Sequence, residues 1–443
     1  MRIQLSEHFT YKKLLRFVFP SIVMMVFTSI YGVVDGFFVS NFVNKTAFTA
    51  VNLIMPYLMI FGALGFMIGT GGSAYISKLL GEKETYRASR VFSMLILVVV
   101  FGGILISILG VLLLRPVAVL MGASGALLDD CILYGSIMMS FTTAFMLQIF
   151  FQSFFVTAEK PKLGLFFTVL AGCTNMVLDA LFVGLFRWGL IGAAAATVMS
   201  QAVGGFLPIL YFARKNSSLL RIVLPVFDFR ALVRILLNGS SELATNLSMS
   251  LVNICYNFQL MLYAGEDGVA AYGVLMYVNF IFVSIYIGYS IGVAPVVGYH
   301  YGAQNHSELK GLLRKSIVLL TCSGACLTLL AEGLAAPLSA LFVGYDAALY
   351  SLTLGGFMIY SLSYLFSGFN IFGSGFFTAL SNGPVSALIS FLRTLVFQLA
   401  TVFLLPLVFD IDGIWWSLVV AEMLALTVTA FLLFLKRKTY KYF

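Results

Sequence analysis

The chain has 443 residues, of which 61% are hydrophobic and only 10% charged, and its mean hydropathy is +1.02. A single soluble core stops growing well below this size, so a composition this apolar excludes an ordinary soluble domain and implies a polytopic α-helical membrane protein. The formal charge of +8 does not argue for nucleic acid as a partner, because the basic residues sit in short clusters between apolar runs, where they report topology.

The first apolar run follows MRIQLSEHFTYKKLLRFVFP. It is too long for a signal peptide and no small-x-small cleavage site follows it, so it reads as a membrane span over residues 15–40. Eleven more runs follow, at 49–77, 91–114, 131–157, 163–186, 189–213, 231–263, 269–297, 315–334, 348–380, 385–408 and 413–435. An even number of spans puts both termini on one side. Of the 26 Lys and Arg, all but Lys45, Arg115, Arg187 and the in-span Arg393 lie on the termini or on the alternate loops of that side. The bias predicts cytoplasmic termini in a multi-pass protein of the cell membrane. The opposite loops are acidic instead, with Asp129, Asp130, Glu266, Asp267, Asp346, Asp410 and Asp412. The five cysteines all fall in apolar runs and read as small core residues, not as disulfides or metal ligands. His8, His300 and His306 lie at a terminus or in a polar loop, which suggests no zinc site.

One run, KLGLFFTVLAGCTNMVLDALFVGLF, carries Asp179 where water is scarce. A carboxylate at that depth costs several kcal/mol unless it is neutral, paired or hydrated, and such groups commonly move protons or ions. Asn175 lies four residues earlier, on the same helix face.

Landmarks recur at an offset of 221 residues: Gly81 with Gly302, Pro116 with Pro337, Thr157-Ala158 with Thr378-Ala379, and Gly192 with Gly413. The halves therefore read as a duplication: a six-helix lobe over 1–215, a linker over 216–230 and a second six-helix lobe over 231–443. Two halves that enter the membrane the same way up are related by a pseudo-two-fold axis along the membrane normal, with a cavity between them.

The segments YGVVDGFFVSNF at 31–42, GTGGSAYISKLLGEKE at 69–84, FFVTAEKPKLG, CTNMVLDALF and GLIGAAAATVMSQ resemble the multidrug and toxic compound extrusion (MATE) transporters of bacterial type. The resemblance covers nearly the whole chain. Its most specific pieces are Asn-x-x-x-Asp on the fifth span and Gly-x-x-Gly-Ala-Ala-x-Ala-Thr on the sixth. It implies a multidrug efflux antiporter that exchanges cytoplasmic amphipathic organic cations for entering protons or sodium ions. No cofactor beyond that ion, no nucleic acid and no partner besides the bilayer is implied, and a monomer is expected.

The resemblance further implies a cation-coupling site at Asp35, Asn175, Asp179 and Thr197, where a sodium ion could also use the Ala193 carbonyl. At about 1.5 Å per residue, Asn175 lies roughly 20 Å and Asp179 roughly 25 Å beyond Lys162, and Asp35 roughly 28 Å beyond Arg16. Thr197 lies roughly 13 Å below Trp188, so all four share the outer half of the bilayer, Asp35 being the shallowest. The plainer alternative makes Asp35 a helix cap and Asp179 a structural hydrogen-bonding group. Pro20, inside the first span, removes a helix hydrogen bond and can bend that helix.

Three more charged groups lie within spans: Glu242, Arg393 and Glu422. They read either as an ion pair or as groups that meet substrate or a second coupling ion. Met24, Tyr31, Met139, Gln148, Gln152, Met276 and Asn279 are expected to line the cavity with these three, since aromatic rings attract organic cations and Met adapts to shape. A lipid-linked oligosaccharide flippase of the same superfamily is the nearest alternative; Arg393 as the one basic residue at depth favours cationic cargo instead. The sequence holds no HExxH motif, paired-Asp metal motif or Gly-rich nucleotide loop, so no enzyme activity is expected.

Overall fold

The structure is a computed structural model that describes residues 3–43 and 45–443. Among the described residues nine helices are long and apolar enough to cross a bilayer, and two bent helix pairs, each taken as one span, bring the number to eleven. The longest, Phe229–Gly302, is two spans joined at Gly265, whose φ of 60° and ψ of −150° lie outside the helical region. The described residues therefore cross twelve times, and both described ends lie on one side.

The first lobe comprises Tyr11–Phe42, Lys45–Gly81, Thr85–Leu120, the pair Gly125–Ser140 and Thr142–Thr157, then Pro161–Asp179 with its continuation Ala180–Leu185, and Gly189–Ala213. The second repeats this plan: Phe229–Gly302 supplies two spans, and His306–Val343, the pair Ala347–Ser361 and Tyr364–Ala379, Gly383–Leu404 and Pro406–Tyr440 follow. The fourth span of each lobe is broken, by 54° in the first and 48° in the second. Hydropathy reads each as one continuous span, because neither break carries a Pro or Gly to punctuate it.

Local chemistry sets the helix ends. Thr10, Asp228, Asn305, Asp346 and Asn382 each accept a backbone N–H of the first turn with their side chains. Pro161 and Pro384 open the fifth span of each lobe, at a position where the missing N–H costs nothing. Three left-handed non-glycine residues at span junctions recur in the second lobe: Lys83 with Gln304, Glu159 with Ser381, and Arg187 with Asp410. L-residues rarely adopt this conformation, so its repetition at offsets of 221, 222 and 223 marks the duplication in the backbone itself.

The lobes meet on the side that bears both termini. A Cβ on Gly81 would sit 2.0 Å from the Tyr299 carbonyl oxygen, and one on Gly302 would sit 2.1 Å from that of Lys78. Residues 78 and 299 are themselves counterparts at the same offset, so the contact is reciprocal, as a local two-fold axis requires. The N-terminal segment adds a tie. Glu308 accepts the Phe9 N–H at 2.9 Å and faces His8 Nδ1 at 2.6 Å, while Glu159 of the first lobe accepts the Leu5 N–H at 2.7 Å. The linker between lobes is likewise seated, with Leu220 buried and the Val223 N–H donating to Ser93 Oγ at 2.9 Å.

The core of the first lobe is aromatic: Phe92, Phe150, Phe151, Phe154, Phe155 and Phe212 are all buried and in mutual ring contact. The outer faces stay apolar, as Phe101 and Leu112 of the third span illustrate. This corrects the reading of the cysteines. Only Cys131 is buried, and Cys173, Cys322 and Cys326 are exposed, because an apolar run facing lipid needs small hydrophobes as much as a core does. All five are free thiols.

Candidate functional site

The first and fifth spans come close because Gly172 has no side chain. A Cβ there would lie 2.4 Å from Phe27 and 2.9 Å from Tyr31 of the first span. One turn further along each helix lie Asp35 and Asn175, with Asp179 a turn beyond. Asn175 and Asp179 are fully buried, and Asp35 and Thr197 are partly exposed.

Thr197 is the hub. Its Oγ1 lies 3.3 Å from Asp35 Oδ1 and 3.0 Å from the Ala193 carbonyl, and Asn175 Nδ2 donates to it at 3.5 Å. A hydroxyl has one proton, so Thr197 satisfies Asp35 or Ala193 at any moment. Both oxygens of Asp179, and Oδ1 of Asn175, are buried with no hydrogen-bond donor among the described residues. The charged neighbour of Asp179 is the Asp35 carboxylate. Ionised carboxylates only accept hydrogen bonds, so the two can bond to each other only through a shared proton. The pocket is thus rich in acceptor oxygens and short of donors, which is the donor set of a cation site. Asp35, shallow by residue count, is brought level with Asp179 by the packing of the two helices.

Two features of this pocket have no signal in the sequence. Tyr134, buried on the fourth span, lies within electrostatic reach of both Asp35 and Asp179. Immediately after Asp179 the helix widens into a π turn, Ala180–Leu185; such turns add a residue and re-aim side chains, and they concentrate at functional sites.

The second lobe has a π turn at Leu392–Phe397 in its fifth span, and it carries Arg393. Arg393 Nε donates to Glu422 Oε1 and Oε2 at 2.9 and 3.0 Å, and a second guanidinium nitrogen lies 2.7 Å from Oε1. Asn370 Nδ2 donates to Glu422 Oε2 at 2.7 Å, and Thr429 Oγ1 donates to Asn370 Oδ1 at 3.0 Å. Glu422, Asn370 and Thr429 thus each have a hydrogen-bond partner in this network. Asn370 was not anticipated, although an amide in the run SGFNIFGSG is the kind of signal that could have found it. Glu242 is partly exposed, and its charged neighbour is Arg393.

Several expected cavity residues are placed elsewhere. Met139 is fully buried, its methyl where a Cβ on Gly110 would fall, and Met24 is buried as well. Gln148 and Gln152 line a narrow gap within the first lobe beside Gly204 and Thr168, and Gln148 Nε2 donates to the Tyr31 hydroxyl at 3.4 Å. Glu422 is enclosed by its ion pair. In this structure these side chains are buried, which the sequence does not reveal, since a helix face is polar or apolar in sequence whichever neighbour it meets. Tyr31, Met276 and Arg393 retain partial exposure, and Asn279 is buried with an unpartnered Oδ1. Pro20 is buried, and Tyr11–Phe42 runs through it unbroken.

The family whose sequence model is described as MatE matches at residues 20–181 and again at 243–404, once in each lobe. The chain is 25% identical over 429 residues to the multidrug export protein MepA of Staphylococcus haemolyticus, covering 96% of this chain and 93% of that protein. It also superposes on an outward-facing multidrug resistance MATE family transporter of the MOP superfamily, with a TM-score of 0.93, 21% identity and coverage of 99% and 98%. A MATE crystal structure in the straight conformation gives the same TM-score and coverage at 21% identity.

Proposed function

The chain belongs to the MatE family, and from that premise we propose that it is a secondary active multidrug efflux antiporter, exporting amphipathic organic cations in exchange for protons or sodium ions by alternating access. The observation that carries this reading is the donor-poor pocket in which Asp35 and Asp179 are neighbours without a cation of the protein's own between them. Two carboxylates so close cannot both hold full charge in a dry site. A proton or a sodium ion neutralises the pair, and its release restores the repulsion. Asp35 sits on the first span and Asp179 on the fifth, so neutralisation changes the force between two helices. The bend of the first span about Pro20 then follows occupancy.

The cytoplasmic placement of the termini rests on the bias of Lys and Arg toward the terminal side, and the export direction on the likeness to multidrug export proteins. The functional division is a lobe over 1–215, a linker over 216–230 and a lobe over 231–443, acting as a monomer in the cytoplasmic membrane. The flippase alternative loses support, because Glu422 takes the charge of Arg393 and leaves, among the described residues, no unpaired cation at that depth for an anionic head group.

Dye efflux from vesicles carrying the purified protein tests the reading, with proton and sodium gradients imposed in turn. Asp179→Asn is expected to abolish gradient-driven accumulation. One inward charge at 100 mV supports a concentration ratio of about fiftyfold. Efflux by the variant that still tracks the gradient at the wild-type level would overturn the proposal.

A further inference from the structure

Below the first span, at the level where basic residues cluster, the surface of the first lobe opens into a crevice of about 480 Å³. Its rim carries Arg16 and Lys162, both exposed and without an ion pair among the described residues. Its floor is apolar, made by Phe17, Pro20, Leu163 and Phe166, the last 57% exposed. Lys160 also lines it and donates to Ser217 Oγ at 2.9 Å. The acid of the site, Glu159, is buried and accepts the Leu5 N–H.

The duplication provides an internal control. At the offsets fixed by the backbone landmarks, Leu237 stands in the second lobe where Arg16 stands in the first, and Val385 stands where Lys162 stands. Pro161 keeps its counterpart, Pro384. The helix start is therefore shared, and the two cations are peculiar to the first lobe. Fold alone does not require them.

We infer that this crevice is a binding site for an anionic phospholipid of the inner leaflet, with Arg16 and Lys162 holding the phosphate and Phe166 and Leu163 lying along the first segment of an acyl chain. The inference depends on the proposed orientation of the chain and is independent of the coupling ion. The depth of the basic rim suits a head group, the exposed phenyl ring on the membrane side suits a chain, and a soluble phosphate would leave that apolar floor bare. Pro20 lies in the floor, so a seated lipid touches the first span at the residue about which it would bend.

The test is native mass spectrometry and thermal melting of the full chain in detergent, titrated with phosphatidylglycerol, phosphatidylcholine or inorganic phosphate. Phosphatidylglycerol should bind preferentially and raise the melting temperature. Arg16→Gln with Lys162→Gln should cut that preference by about thirtyfold, from roughly fivefold for each basic side chain at an anionic surface. The charge-preserving Arg16→Lys with Lys162→Arg should keep it, which guards against a variant that merely folds badly. Equal binding of both lipids by the wild type, or an undiminished preference in the double Gln variant, would overturn the inference. So would inorganic phosphate reproducing the melting shift, since the site would then take free anions.

Discussion

The two lobes share a plan and differ in how they hold charge inside the membrane. In the first, two acids from different spans are neighbours, and both oxygens of Asp179 lack a hydrogen-bond partner among the described residues. In the second, Glu422 is closed into a network by an arginine, an asparagine and a threonine, while Glu242 stands outside it. The substitutions behind this are legible in register. Tyr256 stands where Asp35 does and donates or accepts at 2.6 Å with Ser417, while Val402 stands where Asp179 does and Leu170 where Arg393 does. Each lobe also has a π turn in its fifth span, just after Asp179 in the first and around Arg393 in the second, at non-equivalent positions of the duplicated helix. The duplicated scaffold thus holds buried charge at two unrelated positions, once as two neighbouring acids and once as an acid paired with an arginine.

The sharpest way to break this comparison is to remove one charge from each lobe. Arg393→Ala leaves Glu422 buried and uncompensated, and should cost about 3–5 kcal/mol. Asp179→Asn removes a repulsion and adds an amide donor facing Asp35, so the melting temperature in detergent should hold or rise. A fall of equal size in both variants would mean that the first-lobe pair is as structural as the second.

A smaller effect should be symmetric. Gly81→Ala and Gly302→Ala each drive a methyl into the partner lobe's backbone, and overpacking of this kind costs about 1–3 kcal/mol. The two variants should lose stability to the same degree and raise the labelling of a cysteine introduced nearby on the terminal side. Clearly unequal losses would show that the lobes are not equivalent even where they touch.

The smallest effect concerns pH. Burial pushes the Glu308 carboxyl up, but the Phe9 N–H, His8 and Lys315 outweigh it and hold the group below its ordinary value. Burial lowers the pKa of the nearby His300 imidazole on balance, while Glu308 in turn raises it. A carboxylate held low contributes stability that is complete above its unfolded value near ~4.3 and is lost as pH falls through the folded one. Glu308→Gln should therefore cost on the order of 1–2 kcal/mol at neutral pH, and the difference from wild type should vanish in acid. A difference that persists at low pH would assign the loss to packing.

Sequence alone settled what depends on composition and local pattern. Hydropathy counted the crossings, since each apolar run is long enough to span a bilayer as a helix that satisfies its backbone internally. Spacing put Asn175 and Asp179 on one face, and the recurrence of Gly, Pro and Thr-Ala landmarks exposed the duplication. The tertiary structure decided what depends on which faces meet. It brought Asp35 beside Asp179 through Gly172, closed Arg393 onto Glu422, turned Met139 and Gln148 into a lobe interior and left three cysteines facing outward. In a membrane protein both faces of a helix are apolar, so sequence cannot tell the face that packs from the face that meets lipid. That distinction exists only once the helices are assembled.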